Sequence, residues 1–387
     1  MSKVLFLYYE IEPTVLMAKR FFEKFAEKKN IKIRFVKSTQ LKQEDFNWSD
    51  VILMIRGQAV FMAEIARIAA KKQRYVISFY DDDFLELKDF HIRRPMQEKA
   101  ITIILKNSNI ILATNNTLGE KYAKISKKAK FVKSDTSVQE SELYIREEKK
   151  EGVHVVYYVN DGTTETFEQV IGPAIPALTE KYGKDLTWSF IGVTPKMPNC
   201  VSRDNIYFYQ HLSLDQFRKL LRKGPFTFGI APLIENEFTK SKYINKFMEF
   251  TTAGLTCIYS DIAPYHGFIK DKENGFLCEN IVDGWIGAFE KACKKEARER
   301  CVENARAQLK ERFSQDAIIK RIAEEIPELL EYKKRKQNIS KVKFYQLKLY
   351  SKIASVIDLF LRVKGRWKVE GITSLIMYIW QKKVLKR

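Results

Sequence analysis

Short apolar runs alternate with longer segments of helical periodicity along the first third of the chain. Each apolar run is only a few residues long, so it predicts a buried strand rather than a helix. Apolar residues recur with the helical period at about 14–28 and 60–72. Strands that alternate with helices form βαβ units and hence a parallel sheet. The predicted strands are 3–8, 31–36, 51–55, 75–80, 110–113 and 130–132.

A second alternating series follows the charged segment EEKKEG, residues 147–152, which has the composition of a linker. Helices are expected at 165–182 and 214–222, and several helices should fill 282–330. We therefore predict an α/β chain with two Rossmann-like domains facing each other across a cleft, at 1–146 and 153–330. The predicted strands of the second domain are VHVVYYV, LTWSFIG, IYFY, FTFGIAPL, residues 255–259 and a short strand in ENGFLCEN.

The stretch from Phe238 to Asp261 predicts an amphipathic helix, a glycine stop and a buried strand. Gly254 stands where a left-handed residue would end the helix. A polar helix face beside a strand end is a plausible place to hold an anion and a sugar ring. The apolar face is formed by Ile244, Phe247, Met248 and Thr251, and the polar face by Lys242, Asn245, Lys246 and Glu249.

Positive charge is concentrated at the end of the chain. The net charge is +20, and the segment 331–387 alone contains 16 Lys and Arg against three acidic residues. This segment predicts a basic helical C-terminal extension with an apolar stripe that includes Phe344, Leu349 and Phe360. Such a tail suits an anionic lipid surface, a nucleic acid or an acidic protein. Packing on the body or oligomer formation are the alternatives.

The five cysteines form no CxxC pair, which argues for a reducing compartment and against a structural zinc site. The apolar start of the chain ends at Glu10, so it is interpreted as a first strand and not as a signal peptide. The apolar run 371–380 is too short to span a bilayer.

Acidic residues follow the strand RYVISFY directly. Asp81, Asp82 and Asp83 should lie at the carboxyl end of that strand, where parallel sheets place functional groups. These carboxylates could bind sugar hydroxyls, act as a base or hold a metal. Arg56, which ends the neighbouring strand, suits pairing with a carboxylate or phosphate. An ion pair between Arg56 and the aspartates is the structural alternative.

The turn NDGTT between the first strand and helix of the second domain is a weaker candidate. Gly162 and Thr163 could offer backbone amides and a hydroxyl to phosphate oxygens, although many such turns only cap a helix. There is no GxGxxG motif after the first strand of the chain, so a dinucleotide site there is disfavoured. His211 is a lone histidine, a type more often structural than catalytic, and remains a cleft candidate.

The segment KFMEFTTAGLTCIYSD resembles the signature of retaining glycosyltransferases of the two-domain GT-B type, particularly family four. Glu249 takes the position of the second glutamate in the E-x7-E motif of that family. The resemblance implies that Glu249 holds the ribose hydroxyls of a nucleotide. Ser241 stands where the first glutamate, which contacts the transferred sugar, would be.

Further segments extend this resemblance to about residues 3–330. The block VVYYVNDGTTETFEQVIGPAIPAL is similar to the start of the donor domain in polysaccharide-assembly members, and YDDDF is similar to a strand end of the acceptor domain. The usual arginine and lysine after the first donor strand are absent, so Lys242 or Lys246 would supply their charge. Taking the residues and the resemblance together, we predict Asp81, Asp82 and Lys246 as catalytic residues. The predicted donor-binding residues are Glu249, Lys242, Ser241, Asn245, Gly162 and Thr163.

The resemblance implies retaining transfer from a nucleotide-sugar to a lipid-linked or oligosaccharide acceptor in cell-surface polysaccharide synthesis. Protein cations would stabilise the departing diphosphate, so no cofactor or metal is expected. The tail would bind an anionic membrane from the cytoplasmic side, and nucleic acid is not expected as a partner. The alternatives are an epimerase or phosphorylase on the same fold, or a non-catalytic protein that binds through its basic tail.

Overall fold

The structure, a computed structural model, describes residues 1–86, 95–146, 151–158, 164–210, 212–334, 336–354, 356–361 and 364. Contacts divide these residues into two compact units. The first unit contains Met1–Asp135 and the described residues from Ile319 onward, and the second contains Thr136–Ile318.

The first unit alternates strands with helices, as predicted. Its elements are β1 (Lys3–Tyr8), α1 (Pro13–Lys29), β2 (Lys32–Lys37), α2 (Gln43–Trp48), β3 (Val51–Ile55), α3 (Val60–Lys71), β4 (Tyr75–Tyr80), α4 (Pro95–Asn107), β5 (Ile110–Ala113), α5 (Asn116–Ser126) and β6 (Lys130–Lys133).

These six strands form one parallel sheet in the order β2-β1-β3-β4-β5-β6. All five residues of β3 are buried, as expected for a central strand covered on both faces. The chain leaves β1 toward β2 and then places β3 on the other side of β1. The sheet therefore has its topological switch point between β1 and β3.

The second unit repeats this architecture. Its elements are β7 (Val153–Tyr158), α6 (Thr164–Val170), α7 (Ile175–Tyr182), β8 (Leu186–Ile191), β9 (Ile206–Tyr209), α8 (Leu214–Lys223), β10 (Phe228–Ala231), α9 (Glu237–Lys240), α10 (Asn245–Thr252), β11 (Cys257–Ser260), β12 (Phe276–Cys278), α11 (Val282–Ala292) and α12 (Lys295–Arg312), followed by α13 (Gln315–Glu325), which runs into the first unit.

The second sheet is also parallel, in the order β12-β11-β10-β7-β8-β9, with its switch point between β7 and β10. Successive strand residues enter cores on opposite faces. On β7, Val155 packs with Trp188 and Trp285, whereas Val156 packs with Phe247 and Phe250. This alternation follows from the two-residue period of a strand and covers the sheet on both sides.

The predicted helix 165–182 is two helices, α6 and α7. A turn at Gly172–Ala174 separates them. Pro173 lies within this turn and Pro176 near the start of α7. Neither proline has an N–H group to donate, so a continuous helix would lose hydrogen bonds at both positions.

The predicted helix that begins near Phe238 is also interrupted. It is formed by α9 and α10, and residues 241–244 between them are not helical. Asn236 caps α9 by accepting a hydrogen bond of 2.9 Å from the Thr239 amide. Tyr243 is buried, and its hydroxyl accepts a hydrogen bond of 3.0 Å from the Thr136 amide. The apolar periodicity is compatible with this turn and could not reveal it.

A glycine in β10 determines how closely α10 packs on the second sheet. A Cβ atom on Gly229 would lie 2.4 Å from the Cζ atom of Phe250, so only glycine admits this ring at its present position. At the end of α10, Gly254 adopts the predicted left-handed conformation with a φ of +74°. The buried strand β11 then follows, as expected.

The chain returns to the first unit before residue 331. The amide of Ser2 donates to the carbonyl of Leu330 at 2.9 Å, and its hydroxyl donates to the carbonyl of Glu328 at 2.9 Å. The borders of the two compact units, after Asp135 and after Ile318, therefore differ from the predicted domain borders at 146, 153 and 331.

The described start of the basic extension packs on the first unit. Arg74 is buried and donates to the carbonyl of Gln337 at 2.7 Å. Ile339 and Phe344 join the core formed around α3, and the ring centroid of Phe344 lies 6.4 Å from that of Phe61. Residues 341–354 and 356–361 are helical.

All five cysteines are free thiols. None of the helices in the described part of the chain is both long enough and apolar enough to cross a bilayer.

The contact between Gly229 and Phe250 can be tested with two glycine substitutions of opposite expected sign. Gly229→Ala should destabilise the protein by about 1–3 kcal/mol, because the new methyl group overlaps the Phe250 ring. Gly287→Ala should raise the free energy of unfolding by about 0.5–1 kcal/mol, because Gly287 lies inside α11 and its Cβ would meet nothing within 4 Å. Thermal unfolding midpoints measure both effects; destabilisation of equal size in the two variants would contradict this packing.

Candidate functional site

Charged side chains meet at the switch point of the first sheet. Arg56 follows β3, Glu12 precedes α1 after β1, and Asp81 and Asp82 follow β4. The carboxyl ends of parallel strands share one edge of a sheet, and ligands bind α/β sheets at the switch point on that edge. The structure thus brings together Arg56, Asp81 and Asp82, which were predicted, with Glu12 and Thr14, which were not.

Arg56 is the centre of this first-unit cluster. Its Nε atom donates to Oδ1 of Asp81 at 2.6 Å, and one terminal nitrogen donates to Asp81 Oδ2 at 3.0 Å and to Asp82 Oδ2 at 2.9 Å. The other terminal nitrogen binds the Glu12 carboxylate. Thr14 donates its hydroxyl to Asp81 Oδ2 at 2.6 Å. Both oxygens of Asp81 are therefore occupied, a geometry that orients Arg56.

The backbone of Arg56 is held in an uncommon conformation. Its φ is +48°, in the left-handed region that non-glycine residues seldom adopt. Its amide donates to the carbonyl of Phe79 at 2.9 Å, which extends the pairing of β3 and β4 by one residue. Burial opposes the charge of the guanidinium, but the attraction of Asp81, Asp82 and Glu12 outweighs it and raises the pKa of Arg56. The side chain is thus a permanent, oriented cation.

Asp83 has a different environment from its two neighbours. Its side chain is fully buried and accepts hydrogen bonds from Lys121 at 2.7 Å and from the Tyr122 hydroxyl at 3.1 Å. The Leu85 amide donates to the same carboxylate at 3.1 Å. These bonds connect the loop after β4 to α5, and the structure does not join Asp83 to the Arg56 cluster.

The second switch point is occupied by Lys246. The Nζ atom of Lys246 lies 3.7 Å from the centroid of the Tyr158 ring, at the end of β7. It lies 4.0 Å from Oε2 of Glu249, one turn later on α10. Phe247 and Phe250 are buried in the core beside them, which fixes the rotation of the helix and so places these two side chains at the carboxyl edge of the second sheet.

Burial disfavours the charge of both Lys246 and Glu249. It lowers the pKa of Lys246 to about 8, although Glu249 opposes this change. Burial also raises the pKa of Glu249, against the attraction of Lys246 and Arg218. An anion placed beside Lys246 would stabilise its charged form, so the site is electrostatically prepared for a negatively charged ligand.

The first turn of α10 has no side-chain cap among the described residues. Its first amides, those of Asn245 and Lys246 among them, are donors that an anion could satisfy. Asn245 is exposed, whereas Ser241 is almost completely buried. Lys242 is half-buried, with its Nζ atom 4.6 Å from the centroid of the Phe238 ring. The predicted donor residues from Ser241 to Glu249 thus lie in one short stretch around the start of α10.

Three loops at the same edge of the second sheet are joined by hydrogen bonds. The Ser260 hydroxyl, at the end of β11, accepts from the Leu233 amide at 2.9 Å and binds Asn280 Oδ1 at 2.7 Å. Asn280 also donates to the carbonyl of Leu233 at 2.8 Å. The loops after β10, β11 and β12 therefore hold one another. Asp261 pairs with His266 at 2.8 Å in the same region.

Gly162, Thr163 and His211 lie outside the described residues. Their predicted roles stay predictions.

Residues that the sequence did not single out share a recognisable position. Glu12 and Thr14 follow β1, Tyr158 ends β7, and Asn280 follows β12. Polar residues within a few positions of each strand's carboxyl end could have been collected as one set. Arg218 on α8 could not, because nothing in its local sequence places it near Glu249.

No group of three or more potential metal ligands occurs in the part of the chain that the structure describes. A cavity of about 710 Å³ opens at the opposite edge of the second sheet, where β10 and β11 begin. Its lining includes Phe226, Leu255, Arg298 and Arg306. It is therefore separate from the predicted donor residues.

The fold is that of known glycosyltransferase structures. The chain is similar to Anabaena Alr3699/HepE in complex with UDP and glucose, with a TM-score of 0.62 and 10% identity, covering 85% of this chain and 100% of that one. It is similar to the lipopolysaccharide outer core galactosyltransferase WaaB, apo form, with a TM-score of 0.52 and 15% identity, covering 84% and 99%.

A glycosyltransferase from Rickettsia africae ESF-5 is a further similar structure, with a TM-score of 0.57, 13% identity and coverage of 85% and 99%. No protein-family profile and no curated protein sequence matches the chain. At these identities the likeness concerns architecture, and the predicted fold class is confirmed: the chain has two Rossmann-like units of the GT-B fold.

Two arginine substitutions in the first unit test the structural weight of the Arg56 cluster. Arg56→Ala should destabilise the protein by about 2–4 kcal/mol, because it leaves the nearly buried Asp81 without its ionic partner. Arg34→Ala should cost about 1 kcal/mol or less, because Arg34 pairs with Asp45 while 43% of its side chain is exposed. Each arginine also lies near one aromatic ring, so the comparison is matched. Equal shifts of the thermal midpoint would contradict the proposed difference in burial.

Proposed function

We propose that the protein transfers a glycosyl unit from a uridine diphosphate sugar. The arrangement that carries this proposal is the uncapped start of α10 with Lys246 and Glu249, located at the switch point of a Rossmann-like unit. The likeness to HepE bound to UDP and glucose supports the choice of nucleotide. The galactosyltransferase and glycosyltransferase among the similar structures support the reaction class.

In this proposal the diphosphate of the donor lies at the start of α10. The amides of the first turn and the ammonium group of Lys246 stabilise the negative charge that develops as the sugar–phosphate bond breaks. Lys242, three residues before Asn245, provides a second cation. Stabilisation by these groups acts on the leaving group, which is where charge appears in the transition state.

Glu249 binds the ribose hydroxyls. The carboxylate is only 27% exposed, so it can accept two hydrogen bonds with little competition from water. Its Oε2 atom lies 4.0 Å from Nζ of Lys246, so the ion pair between them is weak. Contacts with a bound ligand can therefore replace this ion pair. Ser241 stands where the E-x7-E motif has its first glutamate. Fewer charged groups of this protein would therefore contact the donor sugar.

The Arg56 cluster binds the acceptor in the first unit. Asp82 is the more exposed of the two aspartates bound to Arg56, with 31% of its side chain accessible, so it is the one that can accept a hydrogen bond from an acceptor hydroxyl. Asp81 positions Arg56, whose guanidinium in turn holds the Asp82 carboxylate in place for the acceptor hydroxyl. The two predicted catalytic aspartates therefore differ in role: Asp82 contacts the acceptor, and Asp81 positions Arg56.

The stereochemistry, the acceptor and the location are proposed from the resemblance of the sequence to retaining glycosyltransferases. We propose that transfer retains the anomeric configuration, that protein cations make a metal unnecessary, and that the acceptor is lipid-linked and belongs to cell-surface polysaccharide synthesis. The protein would act at the inner face of the cell membrane as a peripheral protein. Nucleic acid is not a proposed partner, because the basic residues are concentrated in the C-terminal extension.

Binding of UDP in the presence of EDTA tests the donor site directly. Wild-type protein should bind UDP by titration calorimetry, and Glu249→Ala should weaken binding by about 2–3 kcal/mol, or roughly 30- to 150-fold, through loss of charged hydrogen bonds to the ribose. Glu299→Ala is the matched control, because this glutamate is 67% exposed on α12. An unchanged affinity in Glu249→Ala would refute the ribose role, and binding that requires a metal would refute metal independence.

Affinity for UDP should decrease as the pH rises through the pKa of Lys246. The ammonium form of Lys246 predominates below its pKa of about 8 in the unliganded protein, and above this pH the folded protein loses the cation. Affinity should therefore be constant near pH 7 and fall by up to about tenfold per pH unit above 8.

Lys246→Met should bind weakly at every pH and lose this dependence, whereas Lys219→Met, which changes a lysine on the neighbouring helix α8, should retain it. A pH dependence that persists in Lys246→Met would assign the titration to another group.

A further inference from the structure

The helical end of the C-terminal extension presents an apolar face to solvent. We call the helical residues described between 341 and 361 the tail helix. Seven of its apolar side chains are each more than half exposed, and six of these, between 52% and 71% exposed, form one series. They are spaced three or four residues apart and hence lie on one face of the helix. These residues are Val342, Tyr345, Leu349, Ile353, Val356 and Phe360.

The exposed apolar face is broad. Tyr350, Ile357 and Leu361 are also 40% exposed or more, and they lie beside the main stripe. At about 100° of rotation per residue, the exposed apolar residues span about 160° of the helix circumference, an arc that also contains the exposed Gln346. This width exceeds the narrow seam of a two-stranded coiled coil.

The opposite face of the tail helix is buried in the first unit. Phe344 and Ala354 are almost completely covered, and Leu347 packs against the core around α3. A helix that is apolar on both sides requires a non-aqueous environment on both sides. The protein provides it on one side only, so the exposed face is suited to an external partner.

Lysines lie along the edges of the exposed face. Lys341, Lys348 and Lys352 follow one edge and Lys343 the other, whereas Asp358 lies on the side toward the protein. An apolar centre with basic edges is the pattern of a helix that lies in the interface of an anionic bilayer. A symmetric helix pair would instead bring the lysine rows of two copies together.

We propose that the tail helix binds an anionic phospholipid surface through this face, with its apolar residues inserted among the lipids and its lysines at the headgroups. The contact is made along the surface, because the other face of the tail helix stays packed on the first unit. This membrane contact extends the proposed function. Only its biological purpose rests on glycosyl transfer; the binding to lipid does not.

The attachment of the tail helix relates the membrane to one edge of the first unit. The Gln337 amide donates to the carbonyl of Lys72 at 3.0 Å, at the end of α3. Phe344 contacts Phe61, at the start of α3. The extension thus runs along α3 toward the edge where β3 ends and Arg56 begins its cluster. A lipid-linked acceptor in that bilayer would be near the residues proposed to bind it.

Co-sedimentation of the full-length protein with vesicles tests the proposal. Wild type should bind vesicles of phosphatidylcholine with phosphatidylglycerol, and bind pure phosphatidylcholine at least tenfold less. Ile353→Glu should reduce binding to the anionic vesicles at least tenfold, because it introduces a charge at the centre of the apolar face. Ile281→Glu is the matched control: Ile281 is 56% exposed in the second unit, compared with 54% for Ile353, and its substitution should leave binding unchanged. A point substitution is used because residues 337–344 complete the core of the first unit.

Three results would overturn the membrane proposal. One is equal sedimentation of Ile353→Glu and wild type with anionic vesicles, and a second is binding that ignores the lipid charge. The third is a wild-type dimer in light scattering that becomes monomeric in Ile353→Glu without any vesicle binding, which would assign the face to a second copy. Should Ile353→Glu fail to fold, Phe360→Glu gives the same comparison nearer the end of the helix. UDP affinity is measured on the same samples, so loss of vesicle binding and loss of the donor site are distinguished.

Discussion

The contact between Phe250 and Gly229 is the constraint on which the proposed donor site depends. It lets the buried face of α10 settle directly on β10, because no side chain intervenes at that position. Once this face is fixed, the helical period directs Lys246 and Glu249 to the carboxyl edge of the sheet. A packing requirement in the core therefore decides where the charged groups of the site lie.

Each unit places a cation at the carboxyl edge of its sheet, but the two cations are stabilised differently. Arg56 is neutralised by three carboxylates and is held as an oriented cation. Among the described residues, Lys246 lies near one carboxylate, that of Glu249 at 4.0 Å, and near the Tyr158 ring, so burial lowers its pKa to about 8. The Arg56 cluster is electrostatically satisfied without a ligand, which suits recognition. The charge of Lys246 is stabilised when an anion binds, which suits a donor whose leaving group is an anion.

Periodicity predicted the order of strands and helices well because central strands such as β3 and β8 are buried on both faces and the amphipathic helices on one, and both leave a clear pattern. It missed the break at residues 241–244, where Tyr243 is buried in a turn that preserves the apolar spacing. The lysine and glutamate of α10 were predicted from one local stretch. Partners brought by distant strands and helices, such as Glu12 and Arg218, could not be, because their proximity depends on strand order and helix packing.

The return of the chain to its first unit imposes an order on folding during synthesis. The second unit is continuous from Thr136 to Ile318 and can close as soon as it has emerged. The first unit begins earlier but lacks Ile339 and Phe344, which complete its core, until the residues that follow the second unit have been made. Its nascent form consequently exposes apolar surface of α3 while the second unit folds, and it is at this stage that the growing chain is most open to aggregation or to a chaperone.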